Sequence, residues 1–164
     1  MKLPIVQKEI KGILYVVATP IGNLSDITLR ALSVLSTVEV IAAEHVQTAH
    51  KLLSRHGIMT RVIPVHQHNE NSAIDKIISF LNNNQSVALI TDAGTPAISD
   101  PGAKLVRGVR EQGFNVVPIP GANAAISALS RLSCSGALFL RGGDYRTTRL
   151  QSLSAAPISL SQAG

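Results

Sequence analysis

The stretch TDAGTPAISDPG at residues 91–102 sets two carboxylates, Asp92 and Asp100, in a loop stiffened by Pro96 and Pro101 and turned at Gly94 and Gly102. It follows an apolar run and precedes a helical pattern. Such a loop offers backbone N–H groups to ligand oxygens and carboxylates to ligand hydroxyl or amino groups. Asp100 also suits the N-cap of the helix that Pro101 opens; Asp92, at a strand end, has less structural work to do. Two other loops are similar in kind. ATPIGNLSD (18–26) resembles a phosphate-cradling turn but lacks both G-x-G-x-x-G and the Walker lysine, and a tight turn with a helix cap explains it about as well. PGANAA (120–125) is small at Gly121 and Ala122, which allows a ligand to approach the backbone. In HQHNE, His66 and His68 alternate ahead of Asn69 and Glu70. Two histidines at i, i+2 suit a metal, yet no other ligand has motif spacing, so the expectation is a polar strand end lining a crevice, and no metal. His45, His50 and His56, in or beside a helix, read as surface side chains.

Those loops need elements to hold them. ILYVVA (13–18), VEVIAAE (38–44), RVIPVHQH (61–68), VALITDAG (87–94) and NVVPIP (115–120) are apolar, β-branched runs read as strands. Pro64 marks the third as an edge strand or a strand start. Between them run helical patterns. One is capped by Asp26, one at 47–56 is ended by Gly57, one is capped by Ser72 with Ile74, Ile77, Ile78 and Leu81 on one face, and one is stopped by Gly113. A further helix follows at NAAISALSRL. Five alternations of strand and helix predict an α/β fold with a mainly parallel five-stranded sheet flanked by helices. Ligands of such sheets bind outside the carboxyl ends of the strands, where the loops above lie.

Composition narrows the classes. Apolar residues make up 45% and aromatics 3%, with no Trp, so the core is aliphatic, as suits a sheet buried on both faces. The single cysteine, Cys134, excludes a disulfide framework and a multi-cysteine zinc site. No run of about 18 apolar residues exists to span a membrane, and Glu9 and Gln7 interrupt any signal-like core, so the cytoplasm is the expected compartment. The net charge of +5 sits in the flanks: residues 12–130 carry eight basic and eight acidic side chains. Charge alone therefore does not argue for nucleic acid. Beyond Leu132 the alternating pattern stops. The expected organisation is a binding domain over 1–132 and an atypical, disordered tail over 133–164 in place of a second domain.

The strings YVVATPIGNLSDITLRAL, HQHNE and VALITDAGTPAISDPGAKLV…PIPGANAAISAL, in that order and spacing, closely resemble the ribosomal RNA small subunit methyltransferase I family, a branch of the tetrapyrrole-methylase class. The resemblance covers roughly 12–130, and DAGTPAISDPG is very specific. It implies S-adenosylmethionine as cofactor, 2′-O-methylation of a cytidine in small-subunit ribosomal RNA, a homodimer and no membrane association. By position the family's cofactor pocket falls on Pro20, Asp92, Ala93, Gly94, Thr95, Ile98, Ser99, Pro120, Gly121 and Ala122. Substrate-side residues fall on Asn23, Asn69 and Glu70, with His68 and Glu44 as candidates for the base. One departure lies after the second strand, where the family reads AEDTR and this chain reads Ala43-Glu44-His45-Val46-Gln47. The tail leaves the activity of this chain in question. Two other readings stay open: methylation of a tetrapyrrole precursor, and a non-catalytic, residual cofactor-binding domain.

Overall fold

The computed structural model describes residues 12–66, 70–98 and 102–131. In chain order the elements are β1 (Ile13–Val17), a 3-10 turn (Leu24–Asp26), α1 (Leu29–Thr37), β2 (Val40–Ala43), α2 (Val46–Arg55), β3 (Arg61–Pro64), α3 (Glu70–Asn82), β4 (Val87–Ile90), α4 (Ala103–Glu111), β5 (Asn115–Ile119) and α5 (Ala124–Arg131). The five strands form one sheet in the order β3-β2-β4-β1-β5, and every pairing is parallel. The expected α/β class is borne out. Compact units divide at Ser127; the sheet and α1–α4 belong to the first, and of the second only 128–131, the end of α5, is described. The tail expected over 133–164 lies outside the described residues.

The strands are apolar without interruption because both faces are covered. Side chains alternate between two cores. Leu14, Val40, Ala42, Val87 and Leu89 pack with Ala73, Ile77 and Leu81 of α3 and Leu105 and Val109 of α4. Val17, Ile41, Ala43, Ala88 and Ile90 pack with Ala31 and Leu35 of α1 and Ala49 and Leu53 of α2. So α1 and α2 share one face, and α3 and α4 the other. The chain runs toward the β3 edge through α1 and α2, then back across the sheet through α3 and α4. Right-handed crossovers place those two directions on opposite faces. β4 inserts between β1 and β2, and its exit leads to the other face from theirs. At its carboxyl end the loops must part, and a crevice opens.

Two caps differ from the sequence expectation. Thr28, not Asp26, caps α1, its hydroxyl accepting the Ala31 N–H at 3.1 Å. Asp26 is taken up in the 3-10 turn, whose own cap is the Asn23 side chain. Ser72 is not the N-cap of α3: the helix already begins at Glu70, and Ser72 lies inside it. Pro64 does sit on an edge strand, at its end.

Glu70 is 7% exposed, and its Oε1 accepts the Gly102 N–H at 3.0 Å. Gly102 is the N-cap of α4 and offers no side chain, so a carboxylate from α3 serves the start of α4, where the helix dipole favours negative charge. Lys104 Nζ stands 4.0 Å from Oε2. Glu70→Ala leaves a buried donor without an acceptor and is expected to cost about 1–3 kcal/mol. Glu70→Gln keeps an oxygen and loses less. Urea unfolding of the three proteins tests this, and equal midpoints for all three would refute the capping role.

Candidate functional site

The chain leaving β1 is bound to the chain leaving β4. Thr19 and Gly94 pair as an antiparallel bridge, with Thr19 N–H donating to Gly94 O at 2.9 Å and Gly94 N–H to Thr19 O at 3.1 Å. The Thr19 hydroxyl, buried, donates to Thr91 O at 3.0 Å and lies 3.3 Å from Gly94 O. Gly94 holds φ at +78°, a left-handed conformation that costs other residues roughly 1–2 kcal/mol. The third loop joins through its backbone. Ala18 N–H donates to Ile119 O at 3.1 Å, and a Cβ on Gly121 would stand 2.9 Å from the Ala18 Cβ, closer than two carbons can sit. The loops after β1, β4 and β5 thus meet at one end of the sheet.

Within that cluster the candidates differ in setting. Pro20 is buried, Ala93 and Pro120 are exposed, and Gly94, Thr95 and Ala122 are half-buried. Ile98 is 73% exposed, unusual for its type. Thr95 and Ile98 line a hollow of about 630 Å³ with Val116, Pro118 and Arg110. Asp92 lines a different hollow, of about 610 Å³, with Glu44, His45 and Pro64. Of the expected cofactor residues, Thr95 and Ile98 thus line one concavity and Asp92 another. Ser99, His68 and Asn69 lie outside the described residues. Asn23 caps the 3-10 turn through its own Oδ1, 3.0 Å from the Ser25 N–H. Glu70, expected on the substrate side, is buried and accepts the Gly102 N–H.

His45 was read as a surface residue, and exposure agrees, but its Nδ1 stands 2.8 Å from Asp92 Oδ2. β2 and β4 are neighbours with Ala43 opposite Ile90; extending that register by two residues sets His45 opposite Asp92. The sheet order is needed to see this, and spacing along the chain does not contain it. Thr19 and Thr91 were likewise missed, since a hydroxyl's role in joining two loops leaves no local motif.

Residues 13–139 match the model of the Tetrapyrrole (Corrin/Porphyrin) Methylases. The chain belongs to that family. The family match runs past the 1–132 domain expected above. Among curated relatives, it is similar to the ribosomal RNA small subunit methyltransferase I of Neisseria meningitidis, 52% identical over 132 residues, covering 80% of this chain and 45% of the relative. The namesake in Mesorhizobium japonicum is 45% identical over 159 residues, 93% of this chain and 54% of the relative. This chain thus spans about half the length of the curated relatives it matches. Among solved structures, uroporphyrin-III-C-methyltransferase from Thermus thermophilus aligns with a TM-score of 0.57 at 24% identity, covering 76% of this chain and 53% of that one. Cobalt precorrin-4 methyltransferase, a cobalamin biosynthetic enzyme, aligns at 0.59 and 15%, covering 75% and 51%. At such identities these tetrapyrrole methylases share the fold.

Two substitutions test how the loops of this methylase domain are joined. Thr19→Val removes the donor to a buried carbonyl and is expected to cost about 1–3 kcal/mol, with faster hydrogen exchange at the Gly94 amide. Gly121→Ala must push the loop after β5 off Ala18 and should lower the melting temperature. Unchanged exchange at Gly94 in Thr19→Val would show that the bridge does not hold the loop.

Proposed function

We propose that this chain is the cofactor-side domain, over about 1–132, of an S-adenosylmethionine-dependent methyltransferase. Its acceptor is the 2′-hydroxyl of a cytidine in small-subunit ribosomal RNA. The observation that carries the reading is the likeness to curated methyltransferases of that ribosomal subunit, which runs through the loop at 91–102. Among the described residues no helix is long and apolar enough to cross a membrane. The proposed partner is the small ribosomal subunit, the proposed compartment the cytoplasm, and the proposed assembly a homodimer.

The residues fit such a cofactor. Gly94 gives the loop a turn, and among the described residues only Ile21 Cγ2 comes near its missing Cβ, at 3.8 Å; Ile98 offers exposed apolar surface for an adenine or a methionine chain. Asp92 engages His45 through Oδ2; in this reading its other oxygen accepts from a ligand hydroxyl or amino group. Pro20, Ala93, Thr95, Ser99, Pro120, Gly121 and Ala122 are the further residues proposed to contact the cofactor. S-adenosylmethionine, when bound, supplies a methyl group on a sulfonium, open to in-line attack. The protein must then align the ribose hydroxyl and accept its proton. Glu44, a half-buried carboxylate beside Asp92, and His68 are the proposed acceptors. Asn23 and Asn69 are proposed on the substrate side, and Glu70 acts there through the α4 terminus that it holds.

Calorimetry with S-adenosylmethionine and S-adenosylhomocysteine tests the pocket. Asp92→Ala and Gly94→Val are each expected to weaken binding by about tenfold or more, corresponding to about 1.4 kcal/mol, with circular dichroism confirming the fold. Wild-type affinity in Gly94→Val would refute the pocket assignment. Transfer of a tritiated methyl group to undermethylated small subunits tests the reaction; binding without transfer would favour a non-catalytic cofactor-binding domain.

A further inference from the structure

Between the flank of α3 and the edge strand β3 lies a hollow of about 290 Å³, whose lining includes Arg61, Ile63, Pro64, Lys76, Ser79 and Phe80. We propose that this groove receives the sugar–phosphate backbone of the single-stranded RNA that carries the acceptor nucleotide, with Arg61 and Lys76 on its phosphates. The proposal rests on the ribosomal RNA reading above and names the surface that grips that partner.

The periodicities of the two elements build the groove. Residues two apart on a strand share a face, so Arg61 lies on the same face of β3 as Ile63, which packs against the core beneath α3. On α3 the buried stripe is Ala73, Ile77 and Leu81, and Lys76, Ser79 and Phe80 run along one flank of it at helical spacing. The opposite flank carries Ile74, which meets Gly108 of α4. β3 ends the sheet, so no further strand stands beside the groove among the described residues. The edge does not invite one. Val65 N–H turns inward to Ala43 O, so by alternation the outward position before it is Pro64, which has no N–H to give.

Charge selects the occupant. Arg61 and Lys76 are exposed, and neither stands in an ion pair among the described residues. Among those residues no carboxylate lines the groove. Pro64 lines both this groove and the hollow that holds Glu44 and Asp92, so two hollows of opposite charge adjoin at one residue. A strand laid across Pro64 keeps its phosphates on the basic side and brings a ribose hydroxyl to the acidic one. Arg61 lies three residues back from Pro64 along β3, about 10 Å at the rise of a strand, within the span of a few nucleotides. Phe80, half-buried, offers a ring face on which a base can stack, and cations beside an aromatic platform are the pattern of single-strand binding. An acidic polypeptide would also meet the cations, but it has no ribose hydroxyl to offer the neighbouring hollow.

The test is fluorescence anisotropy of a short fluorescein-labelled oligocytidylate with the purified chain across a salt series. The double variant Arg61→Ala, Lys76→Ala is expected to bind about tenfold or more weakly at about 0.1 M salt, with a log–log salt slope shallower by about 1.4, the share of two phosphates. The double variant Lys51→Ala, Arg55→Ala removes the same charge from α2, which packs on the other face of the sheet, and should keep the parental slope. Circular dichroism separates loss of contacts from loss of fold. Parental affinity and slope in the first variant, with the parent binding RNA, would overturn the groove and leave the ribosomal RNA reading standing. An equal loss in both variants, or displacement by polyglutamate as effective as by unlabelled RNA, would mark general polyanion capture and overturn the groove as well. A parent that binds no RNA would overturn that reading and the groove together.

Discussion

Three polar side chains are buried among the described residues, Thr19, Glu70 and Thr91, and all three serve the loop at 91–102. Thr19 and Thr91 hold its start: the Thr19 hydroxyl reaches the Thr91 carbonyl, and the Thr91 hydroxyl lies 3.4 Å from the Ala93 carbonyl. Glu70 holds its end at Gly102. Buried polar groups are costly unless paired, and here each is spent on the same loop. The aliphatic core elsewhere follows the ordinary rule for a sheet covered on both faces. The loop cannot be held that way, because an apolar anchor would leave its backbone groups unsatisfied at the sheet's end. Hydrogen bonding from neighbouring elements fixes it and leaves its surface open.

Those anchors come from different places in the chain, which follows from the position of β4. Its neighbours in the sheet are β1 and β2, both earlier in sequence and both leading to the other face. Thr19 after β1 and His45 after β2 therefore flank the same strand end, on either side of the residues 91–94. Had β4 added at an edge, only one of them could have reached it. The insertion of one strand thus joins the Thr19 bridge and the His45–Asp92 pair into a single locality.

This explains what the sequence disclosed and what it withheld. The strands and their parallel arrangement were legible because burial on both faces writes itself as continuous β-branched runs. The loop at 91–102 was legible because glycine and proline mark local geometry. The cap of α1 was misread where two suitable residues competed. Asp26 and Thr28 are both good caps, and which one serves depends on whether a 3-10 turn forms first. The resemblance put Glu70 on the substrate side and said nothing of its hydrogen bond to Gly102; that partner is 32 residues away, and no local pattern announces a long-range hydrogen bond. His45 was hidden for a related reason, since its pairing depends on sheet order and register. Residues whose role is set by neighbours in sequence can be read from sequence, and those whose role is set by neighbours across the sheet cannot.

Charge balance bears on how the proposed activity divides its labour. Residues 12–130 carry equal numbers of basic and acidic side chains, and the acidic members include Glu44 and Asp92 at the site itself. A surface that grips RNA must place several cations against phosphates, because that contact supplies most of the affinity. Glu44 and Asp92, without a lysine or arginine partner among the described residues, oppose it there. They suit a small ligand bearing hydroxyl, amino or sulfonium groups, and they would repel a phosphate brought to the same place. In the proposed reaction the ribose hydroxyl must nonetheless arrive there, with a phosphate on either side. The cations that hold those phosphates must therefore stand on surface other than that beside Glu44 and Asp92.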